Sequence, residues 1–172
     1  MIWQLAEKNY PDEYRGKKNI LVSIGRLNTQ KGFDLAIQAA KIIEEKGVEF
    51  TWFIIGEGED EQMLREQIKK ERLNDSVKLI GIRKNPYPYI RYADVFVQPS
   101  RYEGKSIVLD EAKILCKPIV VTNYTTVVDS ITDGVNGRIV QFDPNAIANG
   151  ILELLNSDAQ TKFETSLKGE IV

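Results

Sequence analysis

With 172 residues, 42% hydrophobic and 28% charged, the chain has the size and composition of one globular domain able to bury a proper core. Its formal net charge of -2 leaves no basic footprint for a nucleic-acid partner. One cysteine, Cys116, and no histidine exclude an internal disulfide, a cysteine-rich metal site and a Ser-His-Asp triad built from these residues.

No apolar run approaches the roughly 20 residues of a membrane span, and the opening MIWQLAEKNYPDEYR lacks the cationic-then-apolar order of a signal peptide. The expected compartment is the cytoplasm. Residues 1–18 read as a lead-in or interdomain linker. NILVSIG (19–25) predicts a fully buried strand, and Gly32 opens a helix in which Phe33, Ala36, Ile37, Ala40 and Ile43 recur at helical spacing. TWFII (51–55) predicts a second strand ended by Gly56. The helix after it turns Leu64 and Ile68 inward and carries Glu61/Arg65 and Glu66/Lys70 as exposed i,i+4 pairs.

VKLI (77–80) is a third strand ending at Gly81, and Pro86 and Pro88 in the following RKNPYPY allow only a short helical segment. DVFVQ (94–98) is the fourth. A polar turn then leads to an apolar-faced helix running to Leu115, and PIVVT (118–122) is the fifth strand. A short helix at 127–131, a DGVNG turn and a sixth strand RIVQF (138–142) precede an amphipathic helix that starts at Pro144, where a missing N–H does no harm. Periodicity weakens after Asn156, so 156–172 read as a tail. Continuous apolar strands alternating with helices specify an α/β domain over 19–155. Its sheet is expected to be Rossmann-like, doubly wound and parallel, with about six strands.

Such sheets bind ligands outside the carboxyl ends of their strands, near the point where strand order reverses. The polar clusters fall there: Arg26 and Lys31 after strand one, GEGED (56–60) after strand two, Arg83 and Lys84 after strand three, and Ser100 to Ser106 after strand four. Glu103 and Glu111 bracket a helix N-terminus and sit up to roughly 12 Å apart at 1.5 Å per residue. That spacing suits an extended ligand with hydroxyls at both ends and an anion in the middle, such as a nucleotide-sugar. Taken singly, each glutamate is an ordinary helix-start acid. Glu111 stands out because it follows Ile107, Val108 and Leu109 in an apolar helix, where a carboxylate needs partners; Asp110 reads as its solvated neighbour.

In GRLNTQKG (25–32), Arg26 and Lys31 around one turn suit a diphosphate better than a merely solvated loop, because of their place after the first strand. GEGED begins like a dinucleotide fingerprint, but position 61 is Glu and the acids would repel a pyrophosphate, so its glycines are expected to bring backbone close to a ligand. There is no Walker A loop. Ser100, Tyr102 and Ser106 have simple turn and cap readings, and Cys116 reads as a small buried thiol.

Together these residues resemble one family. GRL with KGFD (25–34), GEG (56–58), LIG (79–81), ADVFVQPSRYEG (93–104), the Glu103/Glu111 pair, KPIVVT (117–122) and DGVNG (133–137) are similar to the retaining GT-B glycosyltransferases called glycosyl transferases group 1, or GT4. The resemblance implies the C-terminal, donor-binding half of a two-domain hexosyl-type enzyme, with the N-terminal acceptor domain missing. It implies a UDP- or GDP-sugar donor, no cofactor and no metal, and a role in polysaccharide or glycolipid synthesis. Membrane contact, at the inner face, would come only through the absent domain.

By the same resemblance Arg26 and Lys31 hold the diphosphate, Glu103 faces the sugar as the catalytic carboxylate, Glu111 binds the ribose and the loop with Arg83 meets the base. Gly25, Gly56, Ser100, Gly104, Lys105, Ser106 and Ile107 complete the donor site. Arg26, Lys31, Glu103 and Ser106 are expected to be exposed and mobile, and this chain alone is expected to transfer nothing. Three departures stand out. The usual EGFG is EGKS, the usual Gly-Gly pair is Thr125 and Thr126 with Asp129 for Glu, and Cys116 replaces the glycine before KP, so the helix there is expected to lack a left-handed cap. A stand-alone nucleotide-binding or interaction module without transferase activity is the other reading.

Overall fold

The computed structural model describes residues 1–171, with backbone alone at 157, 167 and 169–171. Six parallel strands, β1 (Ile20–Ile24), β2 (Thr51–Ile55), β3 (Val77–Leu79), β4 (Val95–Gln98), β5 (Ile119–Thr122) and β6 (Arg138–Val140), form one sheet in the order β3-β2-β1-β4-β5-β6. The order reverses between β1 and β4, the crevice in which open α/β sheets bind ligands. This is the doubly wound, Rossmann-like arrangement that the alternating apolar strands and helices specify.

Alternation along the strands divides the interior into two cores. Leu21, Trp52, Ile54, Val95, Val97 and Val120 face one side, where they pack against α2 (Phe33–Glu45), α3 (Glu61–Lys70) and α6 (Pro144–Leu155). Ile20, Val22, Phe53, Ile55, Phe96 and Val121 face the other, under α4 (Tyr87–Arg91) and α5 (Ile107–Ile114). Ser23, the one polar residue of β1, is satisfied: its hydroxyl donates to the Val97 carbonyl at 2.6 Å and accepts from Trp52 Nε1 at 2.9 Å.

The segment before β1 and the helix after α6 both pack on this body. A short helix, α1 (Ile2–Ala6), lies on α4, and a 3-10 turn at Asp12–Tyr14 delivers Tyr14 fully buried into the second core. The Tyr14 ring meets Phe53 at 4.8 Å between centroids, and its hydroxyl donates to the Tyr89 carbonyl at 2.6 Å. Within 1–18, Ala6, Pro11 and Tyr14 are buried, Ala6 and Tyr14 in the second core. The expected tail forms α7 (Ser157–Ile171), which buries Phe163 in the first core and whose Gln160 amide donates to the Asp94 carbonyl at 2.8 Å. Among the described residues no helix is long and apolar enough to cross a membrane.

The helix end before Pro118 is also corrected. Cys116 itself adopts φ 57°, with its N–H bonded to the Lys113 carbonyl at 2.9 Å and the Lys117 N–H to the Ala112 carbonyl at 3.1 Å. That is the two-bond left-handed cap usually made by glycine, formed here despite a steric cost of about 1–2 kcal/mol for a residue with a Cβ.

Candidate donor site

Close backbone contact joins the loops at the carboxyl ends of β1, β2 and β4. Gly56, at φ 149°, lies so near the β1 loop that a Cβ there would sit 1.9 Å from the Gly25 carbonyl oxygen, and one on Gly58 would sit 2.4 Å from that of Leu27. The GEG glycines thus seat the β2 loop on the β1 loop, rather than simply opening backbone to a ligand. Gly32 does the same between β1 and β4: at φ 70° it brings its Cα against Pro99, whose carbonyl oxygen would be 1.9 Å from a Cβ.

The centre of the site is an ion pair across the reversal point. Lys31 Nζ lies 2.8 and 3.0 Å from the two Glu103 carboxylate oxygens, and the Ser100 hydroxyl donates to the same carboxylate at 2.7 Å. The Glu103 side chain is only 7% exposed and that of Lys31 22%, so neither matches the expectation of an exposed, mobile group. The physical reason is mutual compensation, since either charge alone would be costly to hold this deeply. The aliphatic stem of Lys31 covers Gly25, where a Cβ would meet it at 3.2 Å. Arg26 is exposed, as expected, and paired with the exposed Glu59 at 3.1 Å.

Arg101 fastens this arrangement. Its guanidinium makes two 2.8 Å bonds to the Asp34 carboxylate and donates to the Thr29 carbonyl at 2.7 Å, while its backbone N–H donates to the Gln30 carbonyl at 2.7 Å. The Arg101 bonds hold the Asp34 carboxyl below the usual carboxylate range. Sequence reasoning missed this pair, although both residues stand inside the KGFD and SRYEG stretches. The Thr126 hydroxyl donates to the Glu103 carbonyl at 2.9 Å from the opposite side.

Ser106 is buried as the N-cap of α5, accepting from the Leu109 N–H at 3.2 Å and donating to Gln98 Oε1 at 3.0 Å. Its expected exposure is therefore also corrected. Gly104, Lys105 and Ile107 are exposed around it, and the first-turn amides have no acceptor within the helix. Tyr124, bonded by the Gln98 amide at 3.3 Å, has its phenol pushed up to about 12 by burial and by the Glu103 charge. Glu111 is half-buried beside Tyr87, whose phenol it raises. Asp110 is half-buried as well rather than solvated.

Arg83 lies at the expected loop, but its guanidinium is bonded within the protein. Its guanidinium is occupied by Glu13 at 2.9 Å, the Tyr89 hydroxyl at 3.0 Å, the Ile82 carbonyl at 3.1 Å and the Ile80 carbonyl. The loop it belongs to nevertheless walls a cavity of about 300 Å³, largely apolar, between Ile24, Gly25, Ile55, Gly56, Ile82 and Pro86. The structure thus gathers Gly25, Lys31, Ser100 and Glu103 in one cluster, with Gly56 and the apolar cavity beside it and Glu111 on α5. Among the described residues no group of three or more acidic or cysteine side chains is arranged to hold a metal ion.

Residues 7–168 match the family model described as glycosyl transferases group 1. The chain is 32% identical over 162 residues to the capsular polysaccharide biosynthesis glycosyltransferase CapM of Staphylococcus aureus, covering 91% of this chain and 43% of that one. A TarM mutant from S. aureus, solved with Fondaparinux, alpha-GlcNAc-glycerol and UDP, superposes with a TM-score of 0.83 at 27% identity, over 95% of this chain and 34% of that one. The C-terminal domain of the group 1 family protein LpcC of Francisella tularensis has the same fold, with a TM-score of 0.80 at 22% identity, over 95% of this chain and 87% of that one. The chain spans 31–43% of the length of the first curated relatives it matches.

Proposed function

Because the chain belongs to the glycosyl transferases group 1 family, we propose that it is the donor-binding half of a retaining, metal-independent, hexosyl-type glycosyltransferase using a UDP- or GDP-sugar. The observation that carries the reading is the Lys31/Glu103/Ser100 cluster at the reversal point of the sheet, flanked by a half-open helix start on one side and an apolar cavity on the other.

Each part of a nucleotide-sugar finds a chemical match. The apolar cavity takes the base and Glu111 accepts from the ribose hydroxyls. The diphosphate meets the α5 amides and Arg26, whose solvent-exposed pair with Glu59 is weak and yields readily to a phosphate. Glu103 faces the sugar. The leaving diphosphate is stabilised by Arg26, Lys31 and the helix start, fixed charges and dipoles that can do this without a metal. The UDP bound to TarM supports a UDP-sugar donor, and the name of CapM supports a polysaccharide product.

Transfer also requires an acceptor hydroxyl held against the anomeric carbon with water excluded, a positioning effect of about 7–11 kcal/mol that a second domain supplies. This chain alone therefore binds donor without turnover. Calorimetric titration with UDP, GDP and ADP, each with and without chelator, tests the reading. Binding should survive chelation and weaken with salt, and Arg26→Ala and Lys31→Ala should each lose about tenfold, or about 1.4 kcal/mol. Unchanged affinity in both variants overturns the assignment.

A further inference from the structure

Glu13, from the segment ahead of β1, reaches the loop after β3 and closes a three-residue network there. Its carboxylate accepts from Arg83 at 2.9 Å and from the Tyr89 hydroxyl at 2.8 Å, and Arg83 Nε donates to that same hydroxyl at 3.0 Å. Glu13 and Arg83 are each about 31% exposed, so the pair is partly buried. The frame around them is rigid: the residue after Glu13 is the fully buried Tyr14, whose hydroxyl holds the Tyr89 carbonyl and whose ring stacks on Phe53.

Arg83 stands between two spaces. On one side lies the apolar cavity assigned above to the base. On the other is a polar cavity of about 440 Å³ between the N-terminal segment and the β3 loop, lined by Asn9, Pro11, Glu13, Lys84 and Asn85 among others. The neighbouring Ile82, 59% exposed, and Pro86 are walls of the apolar cavity. With Glu13 in place, the guanidinium is spent on protein acceptors and the Ile82 carbonyl is pinned by it at 3.1 Å.

We infer that Glu13 is a positioning residue for base recognition: by anchoring Arg83, it holds the 81–86 loop in the shape that the base cavity requires. The inference rests on the donor-site reading above. Without Glu13, the guanidinium loses its counter-charge and is free to leave Tyr89 and fill the cavity it now walls. The larger effect falls on the base, because the diphosphate elements Arg26, Lys31 and the α5 start share no bond with the network, although Arg26 lines the same cavity.

The test is titration of the full chain with UDP and, separately, with inorganic pyrophosphate, for the wild type, Glu13→Ala, Glu13→Gln and Tyr89→Phe, with melting temperatures alongside. Glu13→Ala is expected to weaken UDP tenfold or more while pyrophosphate stays within about twofold. Glu13→Gln, which keeps an acceptor for Arg83, should restore part of the UDP affinity and serves as the readable variant if the alanine form does not fold. Tyr89→Phe should fall between them. Equal loss for both ligands, or UDP affinity unchanged in Glu13→Ala and Glu13→Gln, overturns the inference while leaving the donor site intact. A wild-type chain that binds neither ligand overturns both.

Discussion

Arg101 and Asp34 meet in a two-pronged ion pair, both contacts 2.8 Å, and through it the loop that carries Glu103 is tied to the first turn of α2. The planar guanidinium also spans the Thr29 carbonyl and lies 5.0 Å from the Phe142 ring centre, a set of contacts that lysine could not reproduce. Asp34→Asn should lower stability by about 1.5 kcal/mol, the low end for a hydrogen-bonded charge, and loosen UDP-sugar binding through the Lys31/Glu103 alignment. The carboxyl titrates below its ordinary 3.8 in the folded chain, so its contribution is full above about pH 4 and is lost as the pH falls through the folded value. Urea unfolding of both forms at pH 7 and pH 3 should show the gap between them shrinking in acid, and a constant gap would mean the pair is idle.

Gly32 is a position that cannot take a side chain. Its φ of 70° and the 1.9 Å approach of the Pro99 carbonyl to any Cβ combine backbone strain with a clash against main chain that has no room to retreat. Gly32→Ala should cost at least about 3 kcal/mol and spread the β1 and β4 loops. Gly104→Ala, with nothing within 4 Å of its Cβ, is the control and should melt close to wild type. Comparable melting of the two variants would refute the backbone-contact argument.

The two glutamates are separable by ligand. Glu111→Gln should weaken UDP and UDP-sugar alike and return Tyr87 towards the ordinary tyrosine value of 10.0, because the carboxylate that raises it is neutralised. Glu103→Gln should spare UDP and weaken only the UDP-sugar. Paired titrations, with Tyr87 followed by NMR, read both effects, and the reverse pattern would exchange the two roles.

The sheet was legible because strands buried on both faces must be continuous apolar runs, and the helices because their inward residues repeat every three to four positions. The donor site was legible as a set of loops and a family resemblance, but not as a bonded structure. Lys31 and Glu103 were both assigned to ligand, and their union across 72 residues has no local trace. The same holds for Glu13 and Arg83, 70 residues apart. Tyr14 was missed because a single aromatic in a polar 3-10 turn carries no periodicity, and α7 because its apolar face is narrow. At Cys116 the expectation failed for a different reason: two backbone hydrogen bonds and the packing of Lys117, whose buried ammonium donates to the Ala93 carbonyl at 2.7 Å, override a residue preference worth only about 1–2 kcal/mol.

The placement of the site between β1 and β4 also orders events in time. Val22 pairs with Phe96, and Ser23 bonds to Val97 across 74 residues, whereas β1 with α2 and β2 with α3 are sequential neighbours. Closing so long a loop is an entropic toll met late in refolding, after the local strand-helix units have formed. In a stopped-flow experiment the far-ultraviolet signal of helix should therefore recover before the capacity to bind UDP, and a nascent chain should stay unable to capture nucleotide until β4 and α5 have left the ribosome.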